Sequence, residues 1–249
     1  MKLTKVFLNI ADRLINFIVV TSLVLAVLYA GYGLWDNNRI YAAAENVQDD
    51  MLKLKPDEDK PSFEELLAIN PDVVGWITLD NTHIDHPILQ GQTNLSYINT
   101  DVYGDFSLAG SVFLDSRNDG DFKDTYSLLY GHHMENSKMF GDLDLYKEEE
   151  FFRENQTGTL ILPDRTYKLE IFATLLVPSS QESIFTPTRW QGGIDKLIKF
   201  TRKNPLYINE GTINNMMESA DEDPQILALT TCSSEFTDAR TVILTRMVP

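Results

Sequence analysis

A single cysteine, Cys232, stands among 249 residues. That excludes an intramolecular disulfide and any metal site built from several thiolates. Histidine is nearly as scarce: four residues, at 83, 86, 132 and 133, are a thin basis for a histidine metal centre. Basic residues are outnumbered, 21 against 37 acidic, for a formal charge of −16. Nucleic-acid binders draw much of their affinity from Lys and Arg on phosphates, so no nucleic-acid partner is expected. Repeats and low-complexity tracts are missing as well. What is present is length and an apolar content of 43%, enough for one large domain with accessories.

Residues 14–35, LINFIVVTSLVLAVLYAGYGLW, carry no charge over 22 positions. As a helix they extend roughly 33 Å at about 1.5 Å per residue, enough for a bilayer core of about 30 Å. Lys2, Lys5 and Arg13 precede the run and an acid-rich stretch follows it. The positive-inside rule then makes 1–13 a cytoplasmic tail and 14–35 an uncleaved transmembrane anchor. A cleaved signal peptide has a shorter apolar region and an A-x-A-like site near its end, and the nearest such spot here, Ala42 to Ala44, lies well past the run. Residues 36–249 are expected outside the cell membrane, with 18 basic against 36 acidic residues. Their lack of paired cysteines suits export from a bacterium that does not rely on disulfides.

Residues 36–61 are polar and charge-dense and read as a stalk, partly helical around RIYAAAENV. Ser62 and Glu65 have the spacing of a capping box ahead of a short helix ending near Asn70-Pro71. From Val73 the texture becomes β: 73–79, 83–89, 110–115 and 126–130 are short apolar or alternating runs between turn residues. GTLILP with YKLEIFATLLV, and PQILALTTC with RTVILTRMV, read as hairpins. Helical patches are expected at 143–155 and 193–203. About eight short strands with outlying helices predict a mainly β fold, a closed or nearly closed barrel occupying 62–249.

The last hairpin makes the cysteine interesting. A turn centred near Phe236 sets Cys232 opposite Arg240, and opposed residues have Cβ atoms about 4.5–5.5 Å apart. A guanidinium beside a thiol favours the thiolate and offers donors to an oxyanion forming on an attacked carbonyl. A small buried hydrophobe is the bland alternative for Cys232. The stretch LLYGHHMENSKMFGDL puts His132 after a glycine at a strand tip, where it can serve a cysteine nucleophile as acid and base. A surface turn histidine is the alternative there. His133 falls on the opposite side. His83 and His86 lie in a run followed by Pro87 and suggest no partners, so no metal site is expected. Asp119, Asp121 and Asp124 read as a solvated loop.

The order His132, Cys232, Arg240 on a membrane-tethered barrel resembles the sortase family over roughly 62–249. The resemblance rests on YGHHM, on LTTC as the end of the T-L-x-T-C signature, and on the arginine opening the next strand. The passage from 86 to 115 is also similar to the strand–short helix–strand ahead of the sortase histidine. The first threonine of the signature is Ala228 here. The N-terminal helices and GIDKLIKFTRK resemble class B.

The resemblance implies an eight-stranded sortase-type barrel with peripheral helices on the Gram-positive cell surface, needing no cofactor. It implies a cysteine transpeptidase that cleaves a C-terminal sorting motif of secreted proteins and passes the acyl group from Cys232 to an amine of a peptidoglycan precursor or a pilin lysine. His132 would be the proton donor and acceptor, Arg240 the oxyanion or motif holder, and Thr230 a contact to the bound motif or an ordinary strand threonine. A membrane-anchored cysteine peptidase and a non-catalytic binding module are the alternatives.

Overall fold

The computed structural model describes residues 2–59, 62–190, 193–218, 224–231 and 239–249. Contacts divide the chain into two units, 1–43 and 44–249. From Lys2 the first lies within helix α1 (Lys2–Leu52), whose span from Phe7 is long and apolar enough to cross a membrane. In the second unit the last turns of α1 turn Ala44 and Met51 inward, both buried. The stretch read as a stalk therefore gives its residues 44–52 to the compact unit.

Helix α2 (Glu64–Ile69) follows, stopped by the extended backbone of Asn70 ahead of Pro71. It begins later than the capping-box spacing predicts. Phe63 takes the cap position with no side-chain cap bond, because its ring is 3% exposed and packs inward with Leu66. Strands β1 (Val73–Leu79), β2 (Asp85–Leu89), β3 (Val112–Leu114) and β4 (Tyr126–Gly131) come next. A small ribbon of β5 (His133–Met134) and β6 (Lys138–Met139) leads into a 3-10 helix, Gly141–Lys147, and helix α3 (Glu149–Glu154). After β7 (Thr157–Ile161) and β8 (Thr166–Pro178) lie α4 (Glu182–Phe185), a 3-10 turn at Pro187–Trp190, α5 (Asp195–Lys203), β9 (Tyr207–Ile208) and α6 (Glu210–Glu218). Strands β10 (Gln225–Thr231) and β11 (Ala239–Val248) complete the chain.

Eight of these strands close into a barrel in the order β1-β2-β3-β4-β10-β11-β8-β7 and back to β1, with β9 added beside β8. Neighbours are antiparallel except β2 with β3 and β4 with β10. Side chains alternate across a strand, yet β10 is buried at every position after Gln225. The reason is that both barrel faces are covered. One face fills the interior with Ile77, Ile88, Leu129, Leu229 and Ile243. On the other, Leu128, Leu175, Val242 and Leu244 pack under α5 and α6 through Leu197, Ile198 and Ile213. Elsewhere on that outer face Trp76, Leu89 and Phe113 meet Met51, Phe63 and Leu66. Strands covered on both faces read as continuous apolar runs, which is how these appear in the sequence.

The helix expected over 143–155 is split. Glu148 is extended (φ −97°, ψ 127°) between the 3-10 helix and α3. A 3-10 helix eclipses positions i and i+3, and this one buries Leu143 and Tyr146 together.

Candidate active site

Three strand ends share one rim of the barrel. In the parallel β4–β10 ladder Tyr130 pairs with Thr230 and Gly131 with Thr231. In the antiparallel β10–β11 ladder Thr230 pairs with Val242. His132 directly follows Gly131, and Arg240 lies two residues before Val242, paired with Val177 of β8. Cys232 and the turn through 238 lie outside the described residues, so the expected opposition of Cys232 and Arg240 does too.

Gly131 lets the strand end approach the core. A Cβ there would stand 2.7 Å from the ring of Phe140, which is fully buried. Phe140 donates its backbone N–H to the His132 carbonyl at 3.0 Å, closing the β5–β6 ribbon beneath the histidine. The His132 ring is partly buried, with Nε2 2.6 Å from the Ile98 carbonyl oxygen. A carbonyl only accepts, so Nε2 carries a proton. Ile98 belongs to the 91–111 crossover. Gly110 at φ +58° lets the crossover fold this tightly, since a Cβ there would lie 2.4 Å from the same carbonyl oxygen.

His133 takes a different partner from His132, its Nε2 standing 3.0 Å from Asp144 Oδ2. Burial would raise the Asp144 pKa, but hydrogen bonds from His133 and Lys147 outweigh it and hold the carboxyl at about 2. Thr241 donates its hydroxyl to Asp144 Oδ1 at 3.3 Å, which ties the 3-10 helix to the residue beside Arg240. Thr230 is fully buried and donates its hydroxyl to the Thr241 carbonyl at 3.1 Å. Arg240 is half-buried, and its Nη1 is buried with no hydrogen-bond partner among the described residues.

Partners for the other histidines come from residues distant in sequence. His83 binds Asp142 through its backbone N–H and its Nδ1, at 2.7 and 2.8 Å. His86 is buried, which lowers its pKa to about 4. The acidic loop is bonded internally: Asp124 accepts from Asn118 and from the Asp119 N–H, and Asp121 pairs with Lys123. Among the described residues no group of three His, Cys, Asp or Glu could hold a metal.

Sequence reasoning missed the wall built on Asp115. This carboxylate is fully buried and receives Arg117 through Nε at 2.8 Å and Nη2 at 2.6 Å. It also accepts from Asn94 and from the Tyr130 hydroxyl. Arg117 Nη2 reaches the Phe185 carbonyl at 2.7 Å and so fastens the β8–β10 connection to the β3 end. The signal available was Asp115 closing an apolar run with Arg117 two positions on. Nothing in the sequence marked the Ile98 carbonyl.

No family model matches the chain. It is 30% identical over 193 residues to sortase B of Listeria monocytogenes, spanning 77% of this chain and 76% of that protein. With sortase B of Staphylococcus aureus it is 28% identical over 191 residues, 76% of this chain and 75% of that one. A solved class B sortase of Streptococcus pyogenes involved in pilus biogenesis superposes with a TM-score of 0.65 at 34% identity, over 75% of this chain and 97% of that one. A Staphylococcus aureus sortase B–substrate complex gives 0.66 at 25% identity, over 84% and 94%.

Proposed function

Since this chain belongs to the sortase family, as a class B-like cysteine transpeptidase, we propose that Cys232, His132 and Arg240 perform its acyl transfer at the rim where β4, β10 and β11 end. The observation that carries this reading is the register. Gly131 pairs with Thr231, and Thr230 with Val242, which supports a reading in which the same ladders, continued by one or two residues, would set His132 beside Cys232 and Arg240 opposite it.

In that arrangement the Cys232 thiolate attacks the scissile carbonyl of a sorting motif, and the carbonyl electrons move to oxygen. The Arg240 guanidinium, with a buried Nη1 not bonded to any described residue, donates to that oxyanion. As the intermediate collapses, the leaving amine takes a proton from Nδ1 of His132 and a thioester remains on sulfur. An incoming amine attacks the thioester, gives a proton back to His132 and expels the thiolate. Nε2 stays bonded to the Ile98 carbonyl throughout, fixing the ring. Thr230 serves by bracing the β10–β11 hairpin through Thr241.

The helix from Phe7 supports an anchor at 14–35, and Lys2, Lys5 and Arg13 before it favour 1–13 in the cytoplasm with the barrel outside. There it meets secreted proteins carrying C-terminal sorting signals. The acceptor is an amine of a cell-wall peptide or a pilin lysine.

Full-length chain in detergent, offered a panel of sorting-motif peptides with a glycine oligomer or a lysine-bearing pilin peptide, tests this. Mass spectrometry should find an acyl adduct on Cys232 and an amine-linked product, both absent in Cys232→Ala. Arg240→Lys keeps charge but loses the planar fork, and kcat/KM should fall about 10²-fold. Release to water alone points to a peptidase, and no adduct with any peptide sinks the reading.

A further inference from the structure

His132 is held from two sides. Its ring rests on the Ile98 carbonyl of the 91–111 crossover, and its backbone carbonyl is bonded by Phe140 at the end of the β5–β6 ribbon. The last turns of α1 touch both supports. Glu45 Oε1 pairs with Lys138 Nζ at 3.0 Å, and Lys138 is the ribbon residue opposite Met134. Met51 is 2% exposed and packs in one cluster with Tyr97 and Val102, which bracket Ile98 in the crossover. Ala44, Val47 and Met51 face Val102, Ala109 and Met139 across a cleft of about 420 Å³ that includes its open mouth. Gln48 adds a hydrogen bond to the His83 carbonyl at 2.9 Å.

We propose that the α1 segment Ala44–Met51 is a positioning element for His132, acting through Lys138 on one side and through Val102 and Tyr97 on the other. The inference rests on His132 being the proton donor and acceptor of the reaction. A 2.6 Å bond to one carbonyl orients an imidazole only as well as that carbonyl is itself held. Here the carbonyl sits on a long crossover rather than in the barrel ladder, and the helix end packs against that crossover beside its own Ser111–Tyr97 and Ser107–Asn99 backbone bonds. Side-chain placement to within a fraction of an ångström decides proton-transfer rates, so a loosened support should lower kcat more than substrate affinity. Glu45 and Lys138 touch neither substrate nor the reacting atoms.

The test compares the full-length chain in detergent with Glu45→Lys, Lys138→Glu and the double exchange. Both side chains reach solvent, 57% and 19% exposed, so the single variants should fold. Each should lower kcat about three- to fivefold with KM and Tm close to wild type, and the double exchange should recover kcat to within about twofold. Ring ¹⁵N shifts, assigned by their loss in His132→Ala, should leave the Nε2–H form in the single variants and return to it in the double. Unchanged kcat, a fall that only tracks lost folded protein, or no recovery in the double exchange would overturn the proposal. A wild-type chain that forms no Cys232 adduct overturns the catalytic reading instead, and the ring shifts still decide whether the helix end positions His132.

Discussion

Gly131 and Thr231 pair side by side on the parallel strands β4 and β10, each one residue short of a position proposed to do chemistry. The residues preceding His132 and Cys232, 100 apart in sequence, are thereby joined by ladder pairing instead of by loop packing. Sites built on strand ends are held more tightly than sites on loops.

Gly131→Ala tests how tightly. The added methyl would meet the buried Phe140 ring at 2.7 Å, and that residue's N–H holds the His132 carbonyl. Overpacking of this kind costs about 1–3 kcal/mol. Denaturant midpoints should fall accordingly, and kcat should drop about tenfold because the histidine moves with the ring. A variant with wild-type midpoint and kcat would show that Phe140 yields without cost.

Asp144 should make the fold sensitive to acid. Its folded pKa, about 2, lies below the ordinary value of 3.8. The folded state therefore binds this proton less readily than the unfolded state. The stabilisation is complete above about pH 4 and is lost as pH falls through about 2. Asp144→Asn should be less stable than wild type at pH 6, with the two converging near pH 2 in thermal melts. A constant gap across that range would show that the carboxylate charge is not what the site uses.

His86 acts in a higher window. Burial lowers its pKa from 6.5 to about 4, so the unfolded chain takes up this proton first as pH falls. The neutral ring's full contribution is present above about pH 6.5 and declines down to about pH 4. His86→Gln should flatten the stability profile between those limits, measured by urea midpoints at pH 7.5, 5.5 and 4.5. Parallel profiles would place the acid sensitivity elsewhere.

Arg117→Met removes the bidentate partner of a fully buried carboxylate. Asp115 keeps Asn94 and Tyr130, so the expected loss is about 2–3 kcal/mol in denaturant midpoint, below the full cost of an unpaired buried charge. The β8–β10 connection loses its tie at Phe185 as well, so proteolysis within 179–190 should speed up. A variant cut at the wild-type rate would show that other contacts hold that segment.

The barrel was legible because its strands are covered on both faces and so stand out as apolar runs between turn residues. The last hairpin's register was legible for a simpler reason. The ladder pairs from Gln225–Met247 to Thr230–Val242 are all equidistant from position 236, where the sequence reading centred the turn. Other features depended on tertiary contacts. Ser62 and Glu65 match a cap, but burying Phe63 gains more than a cap bond on a six-residue helix. Helix α6 has only Ile213 and Met216 as buried anchors, too few for a periodic pattern. The support for His132 is a backbone carbonyl, and a carbonyl has no letter in a sequence.

Ring closure also bears on what the barrel leaves open to other chains. Where β7 ends, the second half of β8 would present open backbone, and β9 covers it by pairing Tyr207 with Thr174 and Ile208 with Ala173. An open strand edge is a template on which another extended chain can pair. With the barrel ring closed and residues 173 and 174 covered, another extended chain finds little backbone to pair with along that stretch. If the barrel works outside the membrane as proposed, an extended substrate would then be taken at the rim where β4 and β10 end and not along the walls.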